Sequence, residues 1–437
     1  MSDSKPGPFM RLLRGLWNCV NFLRRLAFNA IFLLVVVIVL VALFSGGTTL
    51  QDRNVLVLAP QGAVVEQFSV DPMERALSRA MGQAQEETQL RDLLRALKAA
   101  ASDARIERVV IRPDRMGSIG FAALEELDQA ITAFKTSGKQ VIAYADGMDQ
   151  KQYLLAAMAD EVYLHPDGAV LLEGLARYRP YYREALQDKL GVNVHLFRVG
   201  EYKSAAEPYI LDGPSEESRE ADLHWMNDIW QRYLADIARL RKLDATTLQA
   251  DIDNFAAQIE SVQGDLGQLA LQQKLVDKLV PLDQFRNLMI ERGVADDEQH
   301  SFRQVNMDDY LSFVDRENLS FGTEPKVAVV VAQGEIAGGD LAPGSVGGVS
   351  TSNLLRQARE DDQVKAVVLR VDSPGGEVFP SEQIRYEVEL TKAAGKPVVV
   401  SMGNVAASGG YWISMNADTI YAQPSTITGS IGIFGLF

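Results

Sequence analysis

A lone serine stands among small residues at Asn404-Val-Ala-Ala-Ser408-Gly409-Gly410-Tyr-Trp412. Small neighbours let a carbonyl approach the hydroxyl, and a following glycine lets its amide face a developing oxyanion without Cβ interference. The arrangement suits acyl transfer. A serine hydroxyl is weakly nucleophilic at neutral pH, so a base must lie within hydrogen-bond reach. The four histidines, His165, His195, His224 and His300, sit in no motif with an acidic partner. A lysine held neutral by burial is the other common activator. Lys203, in Gly200-Glu-Tyr-Lys203-Ser-Ala-Ala-Glu207-Pro208, has the most unusual lysine surroundings: small and aromatic residues after a glycine. A surface lysine paired with Glu201 or Glu207 is the competing reading. A second glycine pair, in Asp372-Ser-Pro-Gly375-Gly376, directly follows the strand-like run 367–371, where a loop can approach substrate. The amides of Gly375, Gly376 and Gly409 are the candidate oxyanion donors, with an ordinary strand-to-helix turn as the alternative for the glycine pair.

These residues belong to two similar segments. Leu93-Leu94-Arg95 leads to Arg108-Val-Val-Ile-Arg112 as Leu354-Leu355-Arg356 leads to Ala366-Val-Val-Leu-Arg370. Ser137-Gly-Lys-Gln-Val-Ile-Ala143 matches Ala394-Gly-Lys-Pro-Val-Val-Val400, and the stretch from Ala157 to Pro166 matches that from Met415 to Pro424. Short β-branched runs alternate with amphipathic helical stretches in both, which predicts α/β domains built on parallel strands. The copies are expected at 54–213 and 325–437. Between them, 214–320 is expected to be a helical extension and linker packing on the first copy, with Trp225, Ile229, Tyr233, Ile237 and Leu240 at helical spacing. At the place of Ser408 the first copy has Gln150 or Lys151, and at the Ser-Pro-Gly-Gly turn it has Pro113-Asp-Arg-Met-Gly117-Ser118, so it lacks a serine centre. The second copy stops thirteen residues after Pro424. It reads as cut short by roughly 150 residues if the copies are of similar length, with its apolar end, 433–437, expected to expose an unpaired strand edge.

Residues 26–44 are apolar except Asn29, about the length that crosses a bilayer. A membrane anchor is expected at 26–46, retained rather than cleaved. The first 25 residues carry five basic residues against one acidic, a basic segment that predicts a cytoplasmic N-terminus. The whole chain has net charge −15, so the remainder carries −19, which makes nucleic acid a poor partner. The single cysteine, Cys19, lies before the anchor, and a body without thiols fits an oxidising compartment such as a periplasm. No thiolate metal site is available there, and neither metal nor cofactor is expected.

The anchor, the tandem repeat, Glu201-Tyr-Lys203-Ser-Ala-Ala-Glu-Pro208, Asp372-Ser-Pro-Gly375-Gly376 and Ala407-Ser408-Gly-Gly-Tyr-Trp412 together resemble the S49 family of membrane-anchored signal peptide peptidases. The resemblance implies two tandem spiral (ββα) domains of the kind shared with Clp-type proteases and crotonases. It implies Ser408 as nucleophile, Lys203 as general base, and Ser430, in Thr428-Gly429-Ser430-Ile-Gly432, as the residue that orients the lysine. It implies signal-peptide remnants as substrates, a homo-oligomer (a tetramer), and a bacterial inner-membrane location with the body in the periplasm. A crotonase-like acyl-CoA-handling protein and an inactive membrane scaffold are the alternatives.

Overall fold

The computed structural model describes residues 8–44, 50–82, 85–318 and 324–437, with side chains at 8–14, 38–44 and 79 outside the description. The chain divides into two units, Met1–Gln51 and Asp52–Phe437.

The first unit is one helix, Pro8–Phe44, begun by a proline whose missing amide would have no helical partner there. Its stretch Gly15–Val37 is long and apolar enough to span a membrane, and its side chains are exposed almost throughout. The apolar character therefore begins earlier than the expected 26–46, because Leu16, Trp17, Val20, Phe22 and Leu23 extend it across Arg24 and Arg25. Residues 45–46 of the expected anchor and 1–7 of the basic segment lie outside the described residues.

The second unit contains two parallel sheets. In the first, the spatial order is Gln304–Asn306, Asn54–Leu58, Ile106–Ile111, Gln140–Ala145, Glu161–Leu164 and Lys278–Leu279. In the second it is Lys326–Gln333, Val364–Ser373, Val398–Ala406 and Thr419–Tyr421. The β-branched runs form these strands because a parallel sheet covered by helices buries both faces. Leu56, Val109, Ile142, Val367, Leu369 and Val400 are all fully buried. Each repeat adds a small offset ladder: Gly62–Val65 between Glu87–Gln89 and Met116–Ser118, and Ile336–Ala337 between Val346–Gly347 and Gly376. The fold is α/β in both repeats, with the strand, strand, helix order repeated.

The segment 214–320 is more than a helical extension. Its long helix Glu216–Arg241 buries Ile229, Tyr233 and Ile237, and Tyr233 Oη donates to the carbonyl of Gln150 at 2.9 Å. It then returns Lys278–Leu279 and Gln304–Asn306 to the two edges of the first sheet. Strands of two and three residues carry no readable alternation, yet they cover edges that would otherwise present unpaired backbone groups.

The apolar end of the chain is also paired, contrary to the unpaired edge expected from its sequence. Ile433–Leu436 runs antiparallel to Leu196–Val199, with Ile433 opposite Val199 and Leu436 opposite Leu196. His195 and Phe437 close this ribbon through two backbone hydrogen bonds of 2.9 and 3.1 Å. Gly432 permits the approach: a Cβ there would fall 2.2 Å from the Val199 carbonyl.

Candidate active site

Ser408 follows the strand Val398–Ala406 and precedes a single helical turn, Gly409–Trp412. Its backbone has φ 50° and ψ −115°. A non-glycine residue in such a conformation costs about 1–3 kcal/mol and persists only where its surroundings fix it. Here the fixing bonds are Ser408 N–H to Gly429 O at 2.9 Å, Ala407 N–H to Ser373 O at 3.0 Å and Ala406 N–H to Ile427 O at 2.9 Å. The flanking glycines serve packing. A Cβ on Gly409 would lie 2.6 Å from Ser381 Oγ, and one on Gly410 would lie 2.5 Å from the Ser373 carbonyl.

Lys203 sits in the turn that leaves the strand Leu196–Val199, tied back by its amide to Gly200 O at 3.2 Å. The ribbon of that strand with Ile433–Leu436 brings this turn beside the segment holding Ser430. Lys203 Nζ lies 2.8 Å from Ser408 Oγ, 2.8 Å from the Ser430 carbonyl and 3.3 Å from Ser430 Oγ. Ser430, like Ser408, has a positive φ, 48°. Lys203 is only 5% exposed. It has no ion pair among the described residues: Glu207 is buried against Ser215 Oγ, 2.6 Å away, and Arg198, 3.6 Å away. The geometry is thus not that of a surface lysine paired with Glu201 or Glu207. Burial without a compensating carboxylate pushes the Lys203 amine below its ordinary pKa. Among the described residues, Lys203 makes the only side-chain hydrogen bond to Ser408 Oγ, and no histidine bonds it.

The glycine pair packs directly on the serine. Gly375 has φ 99°, and a Cβ there would meet Ser408 Cβ at 2.8 Å and Gly409 N at 2.5 Å. Its amide, however, donates to Ser373 Oγ at 3.1 Å. Gly375 is therefore not a free oxyanion donor, because a side chain two residues back has taken its N–H. The Gly376 amide differs. Ile336 donates to Gly375 O and accepts from Glu377 N, both at 2.9 Å, so the Gly376 N–H faces the opposite side. The Gly409 N–H opens a helical turn, where the first amides have no helical acceptor. The two backbones adjoin: a Cβ on Gly409 would lie 3.2 Å from Gly376 N.

Three supporting residues carry no signal of their own in the sequence. Ser373, fully buried, holds Gly375 and Ala407. Asp372 accepts from Val405 N at 2.9 Å and Asn404 Nδ2 at 3.0 Å, so one carboxylate ties the glycine loop to the serine's strand. Gly432 sets the ribbon. Asp372 and Ser373 lie in the motif of the glycine pair and Gly432 in that of Ser430, but only their neighbours carry recognisable chemistry.

Comparison with known proteins bears on this geometry. The profile of Peptidase family S49 matches residues 133–294 and 391–436. Protease 4 of Salmonella typhi is 38% identical over 428 residues, 96% of this chain and 68% of that protein. Protease 4 of Haemophilus influenzae is 36% identical over 435 residues, 98% of this chain and 70% of that protein. A putative signal peptide peptidase SppA of Enterococcus faecium is 44% identical over 79 residues, 18% of this chain and 23% of that protein. The acyl-CoA-handling and inactive-scaffold alternatives find no support in these relatives. The chain belongs to peptidase family S49, and it is a serine peptidase carrying one N-terminal apolar helix of membrane-spanning length.

Proposed function

We propose that Ser408 and Lys203 form a Ser–Lys dyad that cleaves apolar peptides, among them signal-peptide remnants left in the membrane. The 2.8 Å separation of Lys203 Nζ from Ser408 Oγ carries this reading. A neutral amine has two N–H bonds and one lone pair, and Lys203 has three polar neighbours. The carbonyl and Oγ of Ser430 accept the two N–H bonds, which turns the lone pair toward the Ser408 hydroxyl. Ser430 thereby orients the base.

As Ser408 Oγ attacks the scissile carbonyl, its proton passes to Lys203. The amides of Gly376 and Gly409 hold the oxyanion; losing one such donor typically costs on the order of 3 kcal/mol in the barrier. Lys203 then protonates the departing amine, and water, deprotonated by the same lysine, releases the acyl group from Ser408. Because the working form is the neutral amine, kcat/KM rises with pH through the lowered Lys203 pKa, giving a neutral to alkaline optimum. An acid optimum would point to carboxylates instead.

On this reading the N-terminus lies in the cytoplasm and the Asp52–Phe437 body in the periplasm of a bacterial inner membrane, where the body meets peptides emerging from the bilayer; the basic N-terminal segment favours that orientation. The enzyme acts as a homo-oligomer, a tetramer by family resemblance. Labelling with a serine-reactive fluorophosphonate tests the core of the reading. Labelling is expected in the wild type, absent in Ser408→Ala and strongly reduced in Lys203→Ala; equal labelling of wild type and Ser408→Ala would remove the nucleophile.

A further inference from the structure

The dyad draws its serine from one repeat and its lysine from the other, so its geometry depends on how the repeats are joined. One joint is the ribbon described above. The second lies at the start of the helix Phe121–Lys135. Its N-cap, Gly120, has no side chain to satisfy the first amides of the helix. The missing acceptor comes from the other repeat: Asn404 Oδ1 accepts the Ala123 N–H at 3.1 Å. The fit is close, since a Cβ on Gly120 would fall 1.9 Å from Asn404 Cγ and Oδ1. The other end of the same carboxamide, Nδ2, donates to Asp372 at 3.0 Å, and the Asn404 carbonyl accepts from Ile427 N at 2.9 Å. One turn further along the helix, Glu126 shares the partly buried Arg370 guanidinium with Glu66, each at 2.6 Å. Asn404 stands four residues before Ser408 on the same strand and loop.

Resting on the dyad reading above, we propose that Asn404 is a positioning residue for the reaction: by capping a helix of the N-terminal repeat from the strand that delivers Ser408, it fixes the serine's approach to Lys203. The consequence concerns both distance and burial. Losing the clamp lets Ser408 move away and water reach the lysine, so the ascending limb of the pH profile moves toward the ordinary amine value. The groups bonded to the Lys203 amine are Ser408 and Ser430, and Arg198, which donates to the Lys203 carbonyl at 3.4 Å, pairs with Glu207.

The test uses the full membrane-anchored chain in detergent and a fluorogenic apolar peptide. Asn404→Ala is expected to lower kcat/KM at neutral pH by roughly 10- to 100-fold, mostly in kcat, with the limb shifted to higher pH. Gly120→Ala, whose backbone at φ −84° accepts alanine, is expected to do the same by pushing the carboxamide aside. In the double variant Gly120→Ala should add nothing, because the carboxamide it displaces is then absent. Gln129→Ala, which removes the Gln423 contact across the same interface, should leave the limb in place. The proposal is overturned if Asn404→Ala keeps wild-type activity, if it scales activity equally at every pH, or if the two substitutions add independently. Should Asn404→Ala not fold, Gly120→Ala alone decides by the same two readouts, activity at neutral pH and the position of the limb. Fluorophosphonate labelling of the wild type separates this outcome from a failure of the dyad itself.

Discussion

The two repeats meet at one instructive difference. Both carry a parallel bridge just before a helix, Met148 with Val170 in the first and Val405 with Ile427 in the second. In the first repeat the helix begins at Gln150, two residues after the bridge; in the second it begins at Gly409, four residues after. The first repeat closes its helix with a capping box: Asp149 Oδ1 accepts from Lys151 N at 2.8 Å and Gln152 N at 2.9 Å, and Gln152 returns a bond to Asp149 N at 2.9 Å. The second repeat places Ser408 at the cap, but the side chain makes no capping bond. The two added residues give Ser408 a positive φ that turns Oγ from the helix toward Lys203. Capping and nucleophilic attack are alternative uses of a short polar side chain, and the backbone conformation selects between them.

Ser408→Gly breaks this comparison most severely. Activity is expected to fall by roughly 10⁴-fold or more, while the strain at φ 50° is released and stability rises by about 1 kcal/mol. Peptide hydrolysis and urea unfolding on the same samples check the two halves. A loss of stability would mean that the serine conformation is not strained. Gly410→Ala comes next: its Cβ would press on the Ser373 carbonyl from 2.5 Å, a backbone atom that cannot swing away. A loss of about 1–3 kcal/mol is expected, read as a lowered Tm. Asp149→Ala in the first repeat should cost about 1 kcal/mol by removing a cap, with kcat/KM unchanged. An equal effect of Asp149→Ala on turnover would show that the first repeat's helix still serves the chemistry.

Much of this was legible in the residues, and what was not has physical reasons. The α/β repeat could be read because β-branched runs and helical stretches recur at matching places, and Ser408 and Lys203 stood out because their neighbours are unusual. The ribbon joining Leu196–Val199 to Ile433–Leu436 could not be read, because a strand's periodicity gives its faces but not its partner. Gly375 looked equivalent to Gly376 as a donor, and only the rotation of the Ser373 hydroxyl toward its amide distinguishes them. Asn404 reads as one more small polar residue near the serine. Its role depends on Gly120, a residue 284 positions earlier whose importance is the side chain it lacks.

The smallest expected effect tests whether the first repeat's counterpart of Ser408 shares the electrostatics of Lys203. Counting on from the two bridges, Lys151 falls at the place of Ser408, and its Nζ donates to the Ile119 carbonyl at 2.7 Å and lies 5.0 Å from the Phe121 ring centroid. Burial lowers its pKa, as it does for Lys203. A lysine whose native pKa lies below its unfolded value of 10.5 binds its proton less readily when folded. Its destabilisation is therefore fully present below the native pKa and disappears as pH rises toward 10.5. The two lysines thus add a positive slope to stability between their lowered native pKa values and 10.5. Lys151→Met and Lys203→Met should each flatten that slope in urea unfolding series, and only Lys203→Met should abolish turnover. If Lys151→Met leaves the slope untouched, its amine is already solvated and nothing at the place of Ser408 in the first repeat is a buried cation. If both flatten it, the first repeat holds two amines out of water, and what distinguishes them is the neighbour: a carbonyl and a ring beside Lys151, the hydroxyl of Ser408 from the second repeat beside Lys203.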